Sequence, residues 1–313
     1  MGIVAVIAGH VWWQDTGVRT YVYSWHVPLF FFLAGYFWRD GRNLRDEWVA
    51  RRSTLVWPYV AWLVLIGIAY VVWLVLTGAV TVRGLGALVV GGAYLGRPFS
   101  AFWFISALLV VALLLRLLES LPAWVPWAVA SVGLVAAYVA PDIVSAVPLS
   151  AGVAVPCLLF VLAGRAARRR RVRARWRLLL GVALVLGGAV AVTLRTGTLD
   201  LKQADFGPTP LTVVVAIAIS WGLVLTGEEI GSRWSDGASW PTTLALGGTG
   251  VILTHAAVFW VLGTPPEGRS LDFVLATVLP WLVMLAVQRT PLAKALLGAV
   301  RAPTPRSSPA SAE

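Results

Sequence analysis

Charged residues are scarce in this sequence, and cysteine and histidine are scarcer still. Only 12% of the 313 residues are charged, whereas 59% are hydrophobic. A soluble domain has about 25% charged and about 45–50% apolar residues. The composition therefore excludes a soluble protein and predicts one that crosses a membrane several times.

Several signatures of soluble enzymes and metal sites are also absent. The single cysteine, Cys157, lies in an apolar run, so the chain has neither a disulfide framework nor a cysteine metal site. The sequence contains no phosphate loop ending in Lys-Ser/Thr, no HExxH pair and no GxSxG elbow. No carboxylate lies clearly inside an apolar run, which argues against the proton relay of a coupled transporter. We expect no bound metal.

The net charge of +11 is large for so apolar a chain. Its arginines stand between apolar runs, where such residues orient membrane spans more often than they bind phosphate backbones. We therefore expect no nucleic-acid partner. The densest basic group, Arg165 to Arg177, predicts an anchor that touches anionic membrane lipids.

The apolar runs predict an all-α, polytopic membrane bundle of about ten transmembrane helices. The first run is shorter than the roughly 20 residues needed to cross the hydrocarbon, so we expect a truncated first helix or a start upstream of Met1. The Gly-rich residues 84–96 are also too short to cross and predict a re-entrant or interfacial segment. The predicted spans are 1–13, 21–38, 54–77, 100–118, 123–140, 144–164, 177–195, 209–226, 240–262 and 271–288.

Basic residues are distributed unequally over alternate connections between these spans. If the 39–52 connection is cytoplasmic, 19 of the 25 basic residues lie on the cytoplasmic side, which predicts that both termini are cytoplasmic. We assign residues 1–300 to one transmembrane domain and residues 301–313 to a disordered cytoplasmic tail. The six basic residues on the other side are Arg19, Arg83, Arg97, Arg195, Lys202 and Arg269.

The three histidines, His10, His26 and His255, each lie within or at the edge of an apolar run. An ionisable group is costly there and is by default a candidate for function. Helix rise places all three in the outer half of the bilayer, so three helices far apart in sequence could place them around one cavity. Imidazole is well suited to accept a hydroxyl proton near neutral pH. An interhelical hydrogen bond is the alternative role, and it suits His255 best.

The neighbours of the first two histidines favour a functional site. Gly9 permits another helix or a ligand to approach closely beside His10, and no polar neighbour in that span can satisfy the ring. Pro28 follows His26 and removes a backbone donor, which can free a carbonyl at the mouth of a cavity. The alternative is a proline that is merely tolerated at the start of a helix.

Arg51 and Arg52 lead directly into the third predicted span, in which Pro58 is expected to break the helix. Their guanidinium groups could hold a phosphorylated donor that arrives from the cytoplasm. The alternative is that they only orient the span.

The chain contains six segments in a distinctive order: Gly9-His10, SWHVPLFFFLAGYFWR (24–39), RRSTLVWPYVAW (51–62), FWFISALL (102–109), CLLFVLAGRAARR (157–169) and a late span with His255. Together they resemble the acyltransferase 3 family, and most closely its fucose 4-O-acetylase-like branch of membrane O-acetyltransferases. The resemblance implies about ten transmembrane helices. It also implies transfer of an acyl group, usually acetyl from acetyl-CoA, to a sugar hydroxyl of a cell-surface or extracellular glycan.

The resemblance also implies roles for individual residues. His10 matches the family's catalytic histidine of the first span, and His26 matches the histidine of the second span, which we also assign to catalysis. Arg51 and Arg52 match a basic cluster implicated in handling the donor, so we assign them to acetyl-CoA.

Two further positions are assigned to the acceptor, a glycan or glycolipid. Trp103 matches a Trp-Phe element of the family, which we assign to packing near the cavity, and His255 matches the late histidine.

The sequence departs from the family pattern at three places. The family has Arg or Asp about ten residues before the first histidine, a position upstream of Met1, which supports a truncated start. Thr54 and Leu55 stand where relatives often have another basic residue. Gly248 and Ile252 stand where relatives often have Ser and Tyr.

Two functions of other classes compete with an acyltransferase. A transporter or flippase for a glycan or lipid-linked precursor would need inverted repeats and intramembrane charges, and the sequence has no convincing internal repeat. A non-catalytic membrane partner descended from such enzymes would fit the missing upstream residue.

Overall fold

The computed structural model describes residues 1–170, 172–194, 197–233 and 240–298. Helices dominate these residues and no strand occurs among them, which confirms the predicted all-α class. The predicted tail, 301–313, lies outside the described residues. The helices are α1 (Gly2–Val11), α2 (Thr16–Val22), α3 (His26–Tyr36), α4 (Leu44–Arg51), α5 (Trp57–Leu76), α6 (Val82–Val90), α7 (Phe102–Leu118), α8 (Val125–Val139), α9 (Pro141–Ala146), α10 (Ala151–Arg169), α11 (Ala174–Thr193), α12 (Pro210–Arg233), α13 (Trp240–Val261), α14 (Ser270–Val287) and α15 (Ala293–Leu297).

Several helices have the length and composition of membrane spans, so the predicted polytopic membrane bundle is confirmed. The count of ten stays a prediction, because α1, α7 and α8 are apolar but only 10–17 residues long. Residues 84–96 form no long helix; they hold most of α6 and a 3₁₀ turn at Gly92–Tyr94. Within the described residues six helical stretches are long and apolar enough to cross: Leu44–Leu76, Pro148–Arg169, Ala174–Thr193, Pro210–Ser232, Trp240–Val261 and Ser270–Val287.

The second predicted span, 21–38, is not one helix. α2 ends at Val22, and α3 begins at His26 after Trp25 leaves the helical path with φ −150° and ψ −20°. Pro28 then falls in the first turn of α3, where its missing N–H costs no helical hydrogen bond. The break places His26 at the start of a helix.

The expected break at Pro58 is wrong. α4 continues into α5 through a π turn, Arg52–Val56, and the whole forms one helix. In this turn the N–H of Trp57 donates to the carbonyl of Arg52, five residues back rather than four. The change of register comes directly before Pro58, which has no N–H to donate, so the helix accommodates the proline without breaking.

α10 is the central helix of the bundle. In the stretch Pro148–Arg169, which contains α10, 61% of the most apolar part is buried, against 11% of the most apolar part of Leu44–Leu76. α10 packs against α3, α7 and α8. Two glycines let the α3 and α10 backbones meet: a Cβ on Gly35 would lie 1.8 Å from the Val161 carbonyl oxygen, and one on Gly164 would lie 1.9 Å from that of Phe32. The helix that begins at His26 is therefore fixed directly to the centre of the protein.

A connection between α11 and α12, residues 197–209, covers one end of the bundle. The ring of Phe206 stacks on Phe160 of α10 with centroids 6.4 Å apart, and its carbonyl accepts a hydrogen bond of 3.3 Å from the Tyr138 hydroxyl. The connection is thus anchored to the core rather than loosely attached. Its buried side chains are Leu199, Leu201, Ala204 and Phe206.

The glycine contact between α3 and α10 leads to a test of packing. Gly164→Ala would force the two backbones apart, and such overpacking costs about 1–3 kcal/mol. We expect its thermal unfolding midpoint in detergent, followed by tryptophan fluorescence, to fall by several degrees. Gly187→Ala on α11 is the matched control, because its Cβ would meet no atom within 4 Å and alanine favours helix. Equal midpoints for the two variants would refute the close contact.

Candidate active site

A cavity of about 490 Å³ lies where α1, α2, α3 and α7 meet the 197–209 connection. Of the residues predicted to form a site, His10, His26 and Trp103 line it together. Its walls contain aromatic rings and also basic side chains, which sequence analysis had used only to predict the orientation in the membrane. The cavity is also lined by Arg19, Tyr23, Phe30, Arg97, Phe104, Asp200, Lys202 and Gln203.

The other predicted site residues lie elsewhere. His255, on α13, is completely buried and lies behind His10 rather than on the cavity wall. Arg51 ends α4 and Arg52 begins the π turn; they lie beside the far end of α7, away from the histidines. The expectation of three histidines around one cavity therefore holds for two of them, and the third supports the first.

A direct contact joins the two most distant histidines. His255 Nε2 lies 2.9 Å from His10 Nδ1, and the ring centroids are 4.9 Å apart. His255 Nδ1 lies 3.2 Å from the Val251 carbonyl, which can only accept, so this nitrogen carries the proton. In a neutral imidazole the other nitrogen is then an acceptor, and His10 Nδ1 must donate to it. This assigns the lone pair of His10 to Nε2, on the opposite side of its ring.

Arg97 fixes the end of α1 that carries His10. Its Nη2 donates to the His10 carbonyl at 3.0 Å, and its Nη1 donates to the Thr264 carbonyl at 2.7 Å. The last carbonyls of a helix lack partners within the helix, so the guanidinium supplies one. Burial lowers the pKa of Arg97, and Asp272 acts in the opposite direction.

His26 is held by the break that precedes α3. Its Nδ1 lies 2.8 Å from the Val22 carbonyl at the end of α2, so Nδ1 donates and Nε2 is left as an acceptor. The ring meets Tyr23 edge to face, with centroids 4.9 Å apart. His26 thus caps α2 and also presents a second imidazole to the cavity.

A cluster of charged residues on α2 and the 197–209 connection faces the histidines. Arg19 Nη2 lies 4.0 Å from Asp200, and Lys202 donates to the Leu95 carbonyl. Burial lowers the pKa of Lys202 to about 8, although Asp200 opposes this. Burial also raises the pKa of Asp200, while Arg19 and Lys202 act to lower it. Sequence reasoning missed these groups; Arg19 lies directly between the two spans that carry His10 and His26, but nothing in the sequence pointed to Lys202 or Asp200.

At the end of the bundle that carries Arg51 and Arg52, the arginine end, Glu47 joins Arg51 to Arg116. Sequence reasoning also missed Glu47. Its side chain is 1% exposed and accepts hydrogen bonds from Arg51 Nε at 2.6 Å and from Arg116 Nη2 at 2.9 Å. Arg52 is exposed. The available signal was a carboxylate four residues before Arg51 on one helix face.

α7 runs from the cavity to the arginine end. Trp103 lies at its cavity end, and Arg116 lies near the other, about 20 Å away at about 1.5 Å per residue. A ligand that contacts the histidines and also contacts Arg51 or Arg52 must span a distance of this order.

The arrangement suits chemistry on a hydroxyl group. His10 Nε2 is an acceptor on the wall of a cavity whose aromatic residues can contact the apolar faces of a sugar. Among the described residues, no group of three or more His, Cys, Asp and Glu side chains could hold a metal ion.

Comparison with known families finds a match over nearly the whole chain. A family model described as an acyltransferase domain, of the acyltransferase 3 type, matches residues 1–297, nearly the whole chain. Searches of curated proteins and of solved structures found no match.

The hydrogen bond between the two histidines predicts a specific tautomer. In protein labelled with ¹⁵N-histidine we expect His10 to be protonated at Nδ1 and bare at Nε2. His255→Phe keeps a ring of similar size but removes the acceptor, so the imidazole ¹⁵N shifts of His10 should change while those of His26 stay constant. Unchanged His10 resonances in that variant would show that His255 does not set its tautomer.

Proposed function

Because the chain belongs to the acyltransferase 3 family, we propose that it is a membrane O-acyltransferase that moves acetyl from acetyl-CoA to a hydroxyl of a cell-surface or extracellular glycan. Family membership makes it a membrane acyltransferase. The acetyl donor and the glycan acceptor, with the fucose 4-O-acetylase-like branch, are the finer part of the proposal.

One observation carries the chemistry: His10 Nδ1 is committed to His255, so Nε2 is an acceptor at the cavity. In the proposed reaction Nε2 takes the proton of the acceptor hydroxyl as its oxygen attacks the acetyl carbonyl carbon. The new C–O bond replaces the C–S bond of the thioester, and the proton passes to the departing CoA sulfur. General base catalysis of this kind contributes about 10²- to 10⁴-fold.

The remaining cavity residues have supporting roles in the proposal. His26, whose Nε2 is also an acceptor, contacts the acceptor close to the reacting hydroxyl. Trp103 provides an aromatic face for the sugar, and His255 acts through His10 by orienting its ring.

Arg51 and Arg52 are proposed to bind the phosphates of acetyl-CoA at the other end of the bundle. Guanidinium groups match phosphate geometry, and Arg52 is exposed at the start of the π turn. The predicted orientation puts this end in the cytoplasm, while the histidine cavity lies toward the outside. The pantetheine arm would then extend into the bundle along the roughly 20 Å that separates the two ends of α7.

The role of His10 is tested by transfer of labelled acetyl from acetyl-CoA to cell-envelope glycan in membranes that contain the protein. We expect His10→Ala to reduce transfer by about 10²- to 10⁴-fold because the base is lost. His26→Asn retains a donor for the Val22 carbonyl and should lose less activity. Full transfer by His10→Ala, at equal protein level and thermal midpoint, would refute the assignment.

The donor site is tested with Arg52→Gln. Arg51 is the weaker choice, since its removal would also leave the buried Glu47 with one partner fewer. We expect Arg52→Gln to raise KM for acetyl-CoA about tenfold, the effect of losing a hydrogen bond to a charged group, with little change in KM for the acceptor. Arg83→Gln on α6 is the control, because Arg83 is exposed and lies outside both sites. Equal KM values for the two variants would remove Arg52 from the donor site.

A further inference from the structure

Two basic side chains face the catalytic histidines across the cavity without a role in the proposed acetyl transfer. Arg19 comes from α2, and Lys202 comes from the 3₁₀ turn Leu201–Gln203. With Arg97, three cations line the cavity against the single carboxylate of Asp200. The cavity is therefore positive even if Asp200 is fully ionised.

Asp200 is poorly placed to neutralise Arg19. Its closest approach to Arg19 is 4.0 Å, at the outer limit of an ion pair. Burial also raises the pKa of its carboxyl group, which disfavours the charged form. The positive charge is thus available to a ligand.

Lys202 has unused hydrogen-bonding capacity. An ammonium group has three donors, and within the described part of the chain Lys202 gives one to the Leu95 carbonyl. Arg19 stacks on Tyr23, with its guanidinium carbon 4.8 Å from the ring centroid, an arrangement that leaves N–H groups at its edge. Arg97 differs, because it already donates to two carbonyls.

The segment that carries Lys202 is held rigidly. Leu201 and Phe206 are 2% and 1% exposed, and Phe206 stacks on Phe160 of the central helix. The ammonium group is therefore preorganised, and binding an anion there requires little ordering of the protein.

From these contacts we infer that the acceptor carries a negative group, a carboxylate or a phosphate, which Lys202 and Arg19 bind while His10 faces the hydroxyl that is acylated. This inference rests on the proposed acyltransferase function and specifies its acceptor as acidic. Guanidinium and ammonium groups recognise both kinds of anion, so the two sources are separated by experiment.

The test uses pairs of acceptors in which an acidic group is replaced by a neutral ester or ether. Methyl glucuronoside is compared with its methyl ester, and methyl glucoside 6-phosphate with 6-O-methyl glucoside. Binding is measured by calorimetry without donor, and kcat/KM is measured with acetyl-CoA. We expect at least one acid to bind and react about tenfold or more better than its neutral partner, as for a hydrogen bond between charged groups; which pair responds identifies carboxylate or phosphate.

Substitutions then locate the effect. Lys202→Gln and Arg19→Gln should each raise KM for the acid about tenfold and leave the neutral acceptor and KM for acetyl-CoA unchanged. Arg83→Gln, an exposed residue outside the cavity, should alter none of these constants. A rise in KM for acetyl-CoA instead would assign the two cations to the donor and overturn the inference.

The pH dependence gives an independent readout. The titratable or charged groups that share the cavity with Lys202 are His10, Arg19, Tyr23, His26, Arg97 and Asp200. Since the pKa of Lys202 is about 8, its charge is present below that pH and is lost above it. The ratio of kcat/KM for acid to neutral acceptor, in which the titration of the base cancels, should therefore fall between about pH 7 and 9. In Lys202→Gln the ratio should be flat.

The outcomes separate this inference from the function on which it rests. Equal binding and equal kcat/KM for acid and neutral acceptors would overturn the acidic acceptor and leave an acyltransferase in place. Selective binding of an acid without any acetyl transfer would support the anion site and count against the proposed donor or reaction. Neither binding nor transfer would overturn both.

Discussion

Polar groups inside an apolar helical bundle must find partners within the protein, and this requirement governs the positions of the buried ionisable side chains His255 and Glu47. His255 is completely buried and is satisfied by the Val251 carbonyl and by His10. Glu47 is equally buried and is satisfied by Arg51 and Arg116. The same requirement leaves His10 Nε2 as the free acceptor, so the candidate base follows from the way its neighbour is satisfied.

These two polar clusters lie at opposite ends of α7, with apolar packing between them. Ile105, Val111 and Leu115 of this helix are buried in the main hydrophobic core. The direct backbone contact of α3 with α10 at Gly35 and Gly164 fixes the helix of His26 in the same core. The two polar clusters are therefore held at a fixed separation by the packing of α7, α3 and α10.

Sequence reasoning predicted the class of protein well, because membrane composition and hydrophobic periodicity are properties of single segments. It also identified the histidines, because an imidazole in an apolar run is conspicuous. It was wrong about Pro58, since a π turn can absorb a proline without a break. It missed the functional potential of Arg19 and Lys202, because counting basic residues by connection predicts orientation but does not say where a side chain points.

The sequence by itself determined an all-α membrane protein of the acyltransferase 3 type, with His10 as its foremost candidate base. Its apolar runs, scarce charges and short motifs are local features, and local physics is enough to interpret them. Only the tertiary structure decided that His255 supports His10 from behind, that His26 caps α2 beside the cavity, and that Lys202 faces them both. These residues are far apart in the chain, and their relation depends on how α1, α3, α13 and the 197–209 connection pack, which no single segment encodes.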